Sequence, residues 1–128
     1  MIVRDLAVLK DEGGYAEKPG VWTSARYLLK GDGVGFTMTQ TTVAAGQIQE
    51  MEYKNHVEAN LIIEGEADLT DLTNGQVYRL GPGSMYCLDG NERHRLEAMT
   101  DLRIVCIFTP ALTGNETHDA DGSYPLLD

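Results

Sequence analysis

Turn signals interrupt this chain so often that no long element fits between them. Glycine-centred breaks fall at Gly13, Gly20, Gly33, Gly46, Gly75, Gly83 and Gly90, several of them beside Pro, Asp or Asn. Short segments of alternating character lie between the breaks, which is the pattern of a β-sandwich or barrel. A helix of three turns has no place; only RDLAVLKD, with Leu6 and Leu9 three apart, fits a short one. The expected class is all-β. A length of 128 residues suits one domain with a proper core and is too short for two.

Alternation says which side chains share a face, because successive residues of a strand point to opposite sides. Trp22, Ser24 and Arg26 fall together in VWTSARY. Val34, Phe36 and Met38 oppose Thr37, Thr39 and Thr41, and Val57, Ala59, Leu61 and Ile63 oppose Glu58, Asn60 and Ile62. Cys106 and Phe108 share a face of LRIVCIF. Several strands thus carry an apolar face and a mixed polar one. The mixed face either meets solvent or lines a polar pocket inside a barrel; the pattern alone allows both.

Composition removes some functions. A formal charge of −10 with no basic cluster leaves nothing to displace the counterions of a nucleic acid or to bind an anionic membrane. No run approaches the ~18 apolar residues of a membrane span. The opening MIVRDLAVLKDEGG lacks the apolar core and small-residue cleavage site of a secretory signal, so a cytoplasmic location is expected. In that reducing setting Cys87 and Cys106 are expected as free thiols.

The stretch GPGSMYCLDGNERH carries the first chemical clue. It is similar to the second motif of the cupin family, a double-sheet jelly roll, with Gly83, two residues and then Tyr86 where a histidine ligand is usual. Glu58, six residues and then Gly65 match the end of the first cupin motif, while its paired-histidine places fall in Glu52, Tyr53 and Lys54. Glu58, Tyr86 and His94 remain in or near the ligand places. A carboxylate, a phenolate and an imidazole suit iron better than the thiolate-rich sites of structural zinc. The plainer reading sets His94 of NERHR on an exposed turn and Tyr86 in the core.

Over nearly its whole length the chain resembles the ectoine synthase family of small cytoplasmic cupins. The resemblance rests on MIVRDL, on Trp22, Ser24 and Arg26, and on GFTMTQTTV, YKNHVEA, IEGEA, PGSMYCLDGNERH, LRIVCIF and PALTGNETHDADGSYPL. It implies a lyase that closes N-γ-acetyl-L-2,4-diaminobutyrate into the cyclic compatible solute ectoine with loss of water. It also implies a homodimer and an Fe(2+) cofactor held by Glu58, Tyr86 and His94. Segments depart from the family pattern: ANLIIEGEA replaces a more aromatic AVYCIEGEG, and FTPAL replaces FNPPL.

Such a cyclisation needs an amine and an amide carbonyl brought together, the carbonyl polarised, and protons moved. Arg26 suits the substrate carboxylate, which a guanidinium grips with two hydrogen bonds. Trp22 and Phe108 would wall the pocket, Ser24 and Thr41 would supply neutral hydrogen bonds, and Cys106 would line the site. Tyr53, Glu116 and His118 are the candidate proton-transfer groups. Residues 111–128 read as a lid-like tail carrying the last two inward. Alternative expectations are an iron cupin oxygenase and a non-catalytic cupin that binds a small molecule.

Overall fold

The computed structural model describes residues 1–116 and 126. It contains one short helix, α1 (Leu6–Asp11), followed by ten strands. These are β1 (Tyr15–Lys18), β2 (Trp22–Leu28), β3 (Thr37–Val43), β4 (Ile48–Met51) and β5 (Val57–Glu64). Then come β6 (Ala67–Asp71), β7 (Val77–Leu80), β8 (Met85–Leu88), β9 (His94–Ala98) and β10 (Leu102–Thr109). The strands make two antiparallel sheets, ordered β1-β2-β3-β10-β5-β8 and β4-β9-β6-β7. This is the double-sheet jelly roll that the motifs imply.

Local chemistry sets the boundaries. Asp5 caps α1, its Oδ1 accepting the Val8 N–H at 3.0 Å. The helix lies against β2 on the outside of the larger sheet, with Leu9 buried over that strand. Most turns between strands sit where glycine supplies a left-handed φ. At Gly65 the requirement is steric as well: φ is +89°, and an added Cβ would lie 2.1 Å from the Asp101 carbonyl oxygen. Glu66 therefore returns close to the β9–β10 turn, whose Met99 N–H bonds to its carbonyl at 2.9 Å.

The alternating faces resolve in one direction: the mixed face is the inside. Glu58, Asn60 and Ile62 of β5 are buried, whereas Leu61 and Ile63 are exposed. On β3 the threonines Thr37 and Thr39 are buried, while Val34 and Phe36, just before the strand, are exposed. Ile62, Leu96, Ala98 and Leu102 fill one end of the space between the sheets. At the other end the inward side chains turn polar and the sheets part around a cavity.

The root of the C-terminal segment belongs to this packed body. Leu112 is buried in the core, its N–H donating to Thr37 Oγ1 at 2.8 Å and its carbonyl accepting the Lys30 N–H at 2.7 Å. Leu112 thereby anchors the start of the 111–128 segment to the barrel. Residues 117–125 and 127–128 lie outside the described residues.

The glycine at position 65 gives a first test. Gly65→Ala places a methyl against a backbone carbonyl at an unfavourable φ, so it should destabilise the protein by about 2–4 kcal/mol. Denaturant unfolding measures this. The similarly left-handed Gly75, with open space around its Cβ direction, should show the smaller strain penalty of Gly75→Ala alone.

Candidate active site

The parted end of the barrel encloses a cavity of about 770 Å³. Strand register explains its wall. Arg26 of β2 pairs with Thr39 of β3, Thr39 with Cys106 of β10, Cys106 with Asn60 of β5, and Asn60 with Tyr86 of β8. Five cavity-lining side chains thus form one transverse row, in strand steps of about 4.8 Å. Ser24 and Thr41 pair in a neighbouring row, and Glu58 and Phe108 in another. Trp22, Tyr53 and Glu116 complete the wall from the sheet edge, the β4–β5 loop and the segment after β10.

All the expected substrate-binding residues therefore meet in one place. Arg26 Nε donates to Ser24 Oγ at 3.1 Å, which fixes the guanidinium, and no carboxylate pairs with it among the described residues. Cys106 Sγ lies 3.8 Å from Thr41 Oγ1. Burial, with the Glu58 charge adding to it, pushes the Cys106 thiol up to about 12. Cys106 is a neutral wall group at physiological pH, not a thiolate nucleophile.

Tyr53 is buried and meets the Phe108 ring edge-on, with centroids 5.4 Å apart, while its hydroxyl lies 3.2 Å from Met51 Sδ. Glu116 is tied down. Its Oε1 accepts from the Thr113 hydroxyl and the Gly114 N–H at 2.9 Å, and its Oε2 from the Thr113 N–H at 2.8 Å. Burial would raise its pKa, yet these donors together hold it below the usual carboxylate range. It stands at the mouth as a fixed negative charge. His118 lies outside the described residues.

His94 departs from the exposed turn that NERHR suggests. It opens β9, pairs with Met51 and Asp71 on either side, and is only 1% exposed. Its ring centroid lies 6.4 Å from that of Tyr86 and 6.2 Å from that of Tyr53. Nδ1 sits 3.1 Å from the Glu92 carbonyl oxygen, an acceptor only. The proton is thereby drawn to Nδ1, leaving the Nε2 lone pair without a partner among the described residues.

Glu58 is buried, Tyr86 is half-buried beside the core, and the two feel each other electrostatically. Burial pushes Glu58 up to about 7 and Tyr86 well above its ordinary value, the latter aided by the Glu58 charge. The Tyr86 phenol thus lies between the Glu58 carboxyl and the bare imidazole nitrogen of His94, and no cation of the described residues contributes to the Glu58 or Tyr86 shift. That donor set fits a divalent metal, which would reverse both shifts. Among the described residues no three His, Cys, Asp or Glu side chains form a metal-binding group, so the fit depends on the phenol of Tyr86 as third donor.

Sequence reasoning passed over Asn60, although its alternation with Glu58 put it on the same face. It also missed Thr39 and the mouth residues Gln49 and Glu50 as lining groups.

Comparison with known proteins agrees with this geometry. The family model described as ectoine synthase matches residues 1–128. The chain is 50% identical to the L-ectoine synthase of Rhodococcus opacus over all of this chain and 98% of that protein. It is 45% identical to the L-ectoine synthase of Oceanobacillus iheyensis, covering 99% and 98%. The crystal structure of ectoine synthase from P. lautus superposes with a TM-score of 0.87 at 45% identity, covering 99% of this chain and 91% of that one. An RmlC-like cupin from Shewanella frigidimarina shares the fold alone, with a TM-score of 0.64 at 15% identity over 76% and 83%. With a cupin jelly roll, a polar cavity built from the expected side chains and full-length relatives at up to half identity, the chain belongs to the ectoine synthase family.

Proposed function

We propose that this protein is an L-ectoine synthase that closes N-γ-acetyl-L-2,4-diaminobutyrate into ectoine by attack of the α-amino nitrogen on the acetamide carbonyl, with water leaving. The observation that carries the reading is the transverse row of the cavity: it runs from a guanidinium free to take a carboxylate to the phenol beside Glu58. A substrate with a carboxylate at one end and an amide at the other matches that polarity.

The chain's own groups would divide the work. Arg26 would bind the substrate carboxylate bidentately, with Ser24 holding the guanidinium plane. Trp22 and Phe108 would confine the chain of methylenes so that amine and carbonyl meet, which is the main entropic obstacle to ring closure. Trp22 also offers a ring face to the ammonium group. Thr41 would hydrogen-bond the bound chain beside the neutral thiol of Cys106. The fixed Glu116 carboxylate would attract the ammonium at the mouth. Tyr53 and His118 stand as the proton-transfer candidates.

Glu58, Tyr86 and His94 would hold iron(II), which supplies Lewis acidity to the poorly electrophilic amide without a change of oxidation state. Oxygen uptake coupled to substrate loss would instead identify an oxygenase. A cytoplasmic setting accords with two thiols that form no disulfide.

A homodimer is part of the same proposal. The outer face of β5 and β8 exposes Leu61, Ile63 and Met85, at the opposite end of the sheet from β2, where α1 packs. An uncovered apolar sheet face is what a second copy would bury.

Three measurements follow. Replacing Glu58, Tyr86 or His94 by alanine should remove bound iron and cyclisation together, with turnover reduced by at least about a hundredfold; metal analysis and an assay on N-γ-acetyl-diaminobutyrate check this. Full iron occupancy in the Tyr86→Ala protein would exclude the phenol as a required ligand. Light scattering should give twice the chain mass, and Leu61→Glu should shift it toward one; a monomeric parent protein would refute the dimer.

The third measurement concerns the metal-free protein and pH. The Glu58 pKa is raised from 4.5 to about 7 in the folded state, so the fold binds a proton that the unfolded chain releases earlier. The stability this gives is fully present below about 4.5 and is lost as pH rises through about 7. The change should be on the order of 3 kcal/mol. Thermal melts of chelator-treated protein between pH 4.5 and 8 would show it, and Glu58→Gln should flatten the profile.

A further inference from the structure

Thr37 spends its hydroxyl on the chain that returns from β10. It opens β3, is fully buried and pairs through its backbone with Phe108. Its Oγ1 accepts the Leu112 N–H at 2.8 Å and donates to the Leu112 carbonyl oxygen, at 3.4 Å the weaker contact. That carbonyl also accepts the Lys30 N–H at 2.7 Å. One side chain thus grips both backbone polar groups of a buried residue, where an unpaired N–H would be costly.

What the grip controls lies just beyond. Leu112, Gly114, Asn115 and Glu116 line the cavity, whereas Thr37 itself does not. From Thr113 onward the chain closes on its own carboxylate. The N–H groups of Thr113 and Gly114 donate to Glu116, and the Asn115 N–H donates to Thr113 Oγ1 at 3.2 Å. Gly114 takes φ +96°, and an added Cβ there would lie 3.0 Å from Leu29 Cδ1, so the turn sits tight against the end of β2. The internal bonds fix the carboxylate on the turn. The bonds of Leu112 fix the turn on β3.

We propose that Thr37 is a positioning residue for recognition of the substrate ammonium: by clasping Leu112 it sets where the Glu116 carboxylate stands over the cavity. The inference rests on the ectoine synthase reading above, in which Glu116 attracts that ammonium. An ionic contact weakens as its partners separate and water enters between them, so a displaced turn loses the attraction while keeping its charge. Thr37 touches neither substrate nor the reacting atoms in this role.

The test is cyclisation by the full-length protein supplied with iron(II). Thr37→Val keeps the branched shape and deletes the hydroxyl; Thr37→Ser keeps the hydroxyl. Expected is kcat/KM for N-γ-acetyl-L-2,4-diaminobutyrate lowered roughly tenfold in Thr37→Val and restored in Thr37→Ser. In a Glu116→Gln background the Thr37→Val change should cost little more, because the charge it positions has gone. As a competitive inhibitor, 4-acetamidobutanoate, which lacks the α-ammonium, should bind the parent and Thr37→Val equally. A clasp that only supported the fold would lower kcat/KM by the same factor with or without Glu116 and would weaken the inhibitor as well; either result overturns the assignment. Thr37→Ala repeats the deletion with a smaller group, and loss of the fold in both deletions would also overturn it. If the parent protein closes no ring, the ectoine synthase reading fails; if the parent turns over and Thr37→Val matches it, the failure is confined to Thr37.

Discussion

The transverse row of the cavity depends on the antiparallel register of β2, β3, β10, β5 and β8, which holds across that row although it shifts between Arg26 and Leu28 and between Arg103 and Ile104. One slip in that register would turn every inward group outward, because side chains alternate strictly along a strand. The apolar end of the barrel prevents slipping. Ile62 on β5 and Leu102 and Ile104 on β10 must stay inside, and they fix Glu58, Asn60, Cys106 and Phe108 as inward residues of the same strands. Core and site are two stretches of the same strand faces, so the hydrophobic effect at one end aims the chemistry at the other.

That arrangement puts charge where water is scarce. Glu58 and Tyr86 would both prefer to keep their protons, and His94 keeps a lone pair with no partner among the described residues. Each of these is unfavourable for the empty fold, and each would be relieved by the divalent cation proposed above. Sites that work by electrostatics commonly hold such frustrated groups, at a cost to stability. Glu116 is the contrast: three donors satisfy its carboxylate and favour the charged form.

Much of the architecture was legible in the sequence. Glycine-centred breaks and period-two segments gave the all-β class, and the Leu6/Leu9 spacing located α1. Alternation also grouped Trp22, Ser24 and Arg26 correctly. It could not say which of two faces lies inside, because Thr37, Thr39 and Glu58 read as a solvent face when each strand is taken alone. Only closure of the two sheets makes a polar face interior. The charged neighbours of His94 in NERHR favour an exposed turn, yet Arg93 and Arg95 point outward toward Glu50 and leave the histidine ring within. The packing of Leu112 under Thr37 joins residues 75 apart in sequence, a contact that no local pattern announces.

The strand order carries a consequence for how the molecule is made. β10 lies between β3 and β5 in the larger sheet, yet it is the last strand among the described residues. Until it emerges from the ribosome, β3 and β5 each present an open edge, and the cavity has no floor. Because β9 lies between β4 and β6 in the smaller sheet and directly precedes β10, neither sheet is complete until these two consecutive strands have been made. Completion of the fold is therefore a late and long-range event, during which two unpaired strands can recruit each other's counterparts from neighbouring chains.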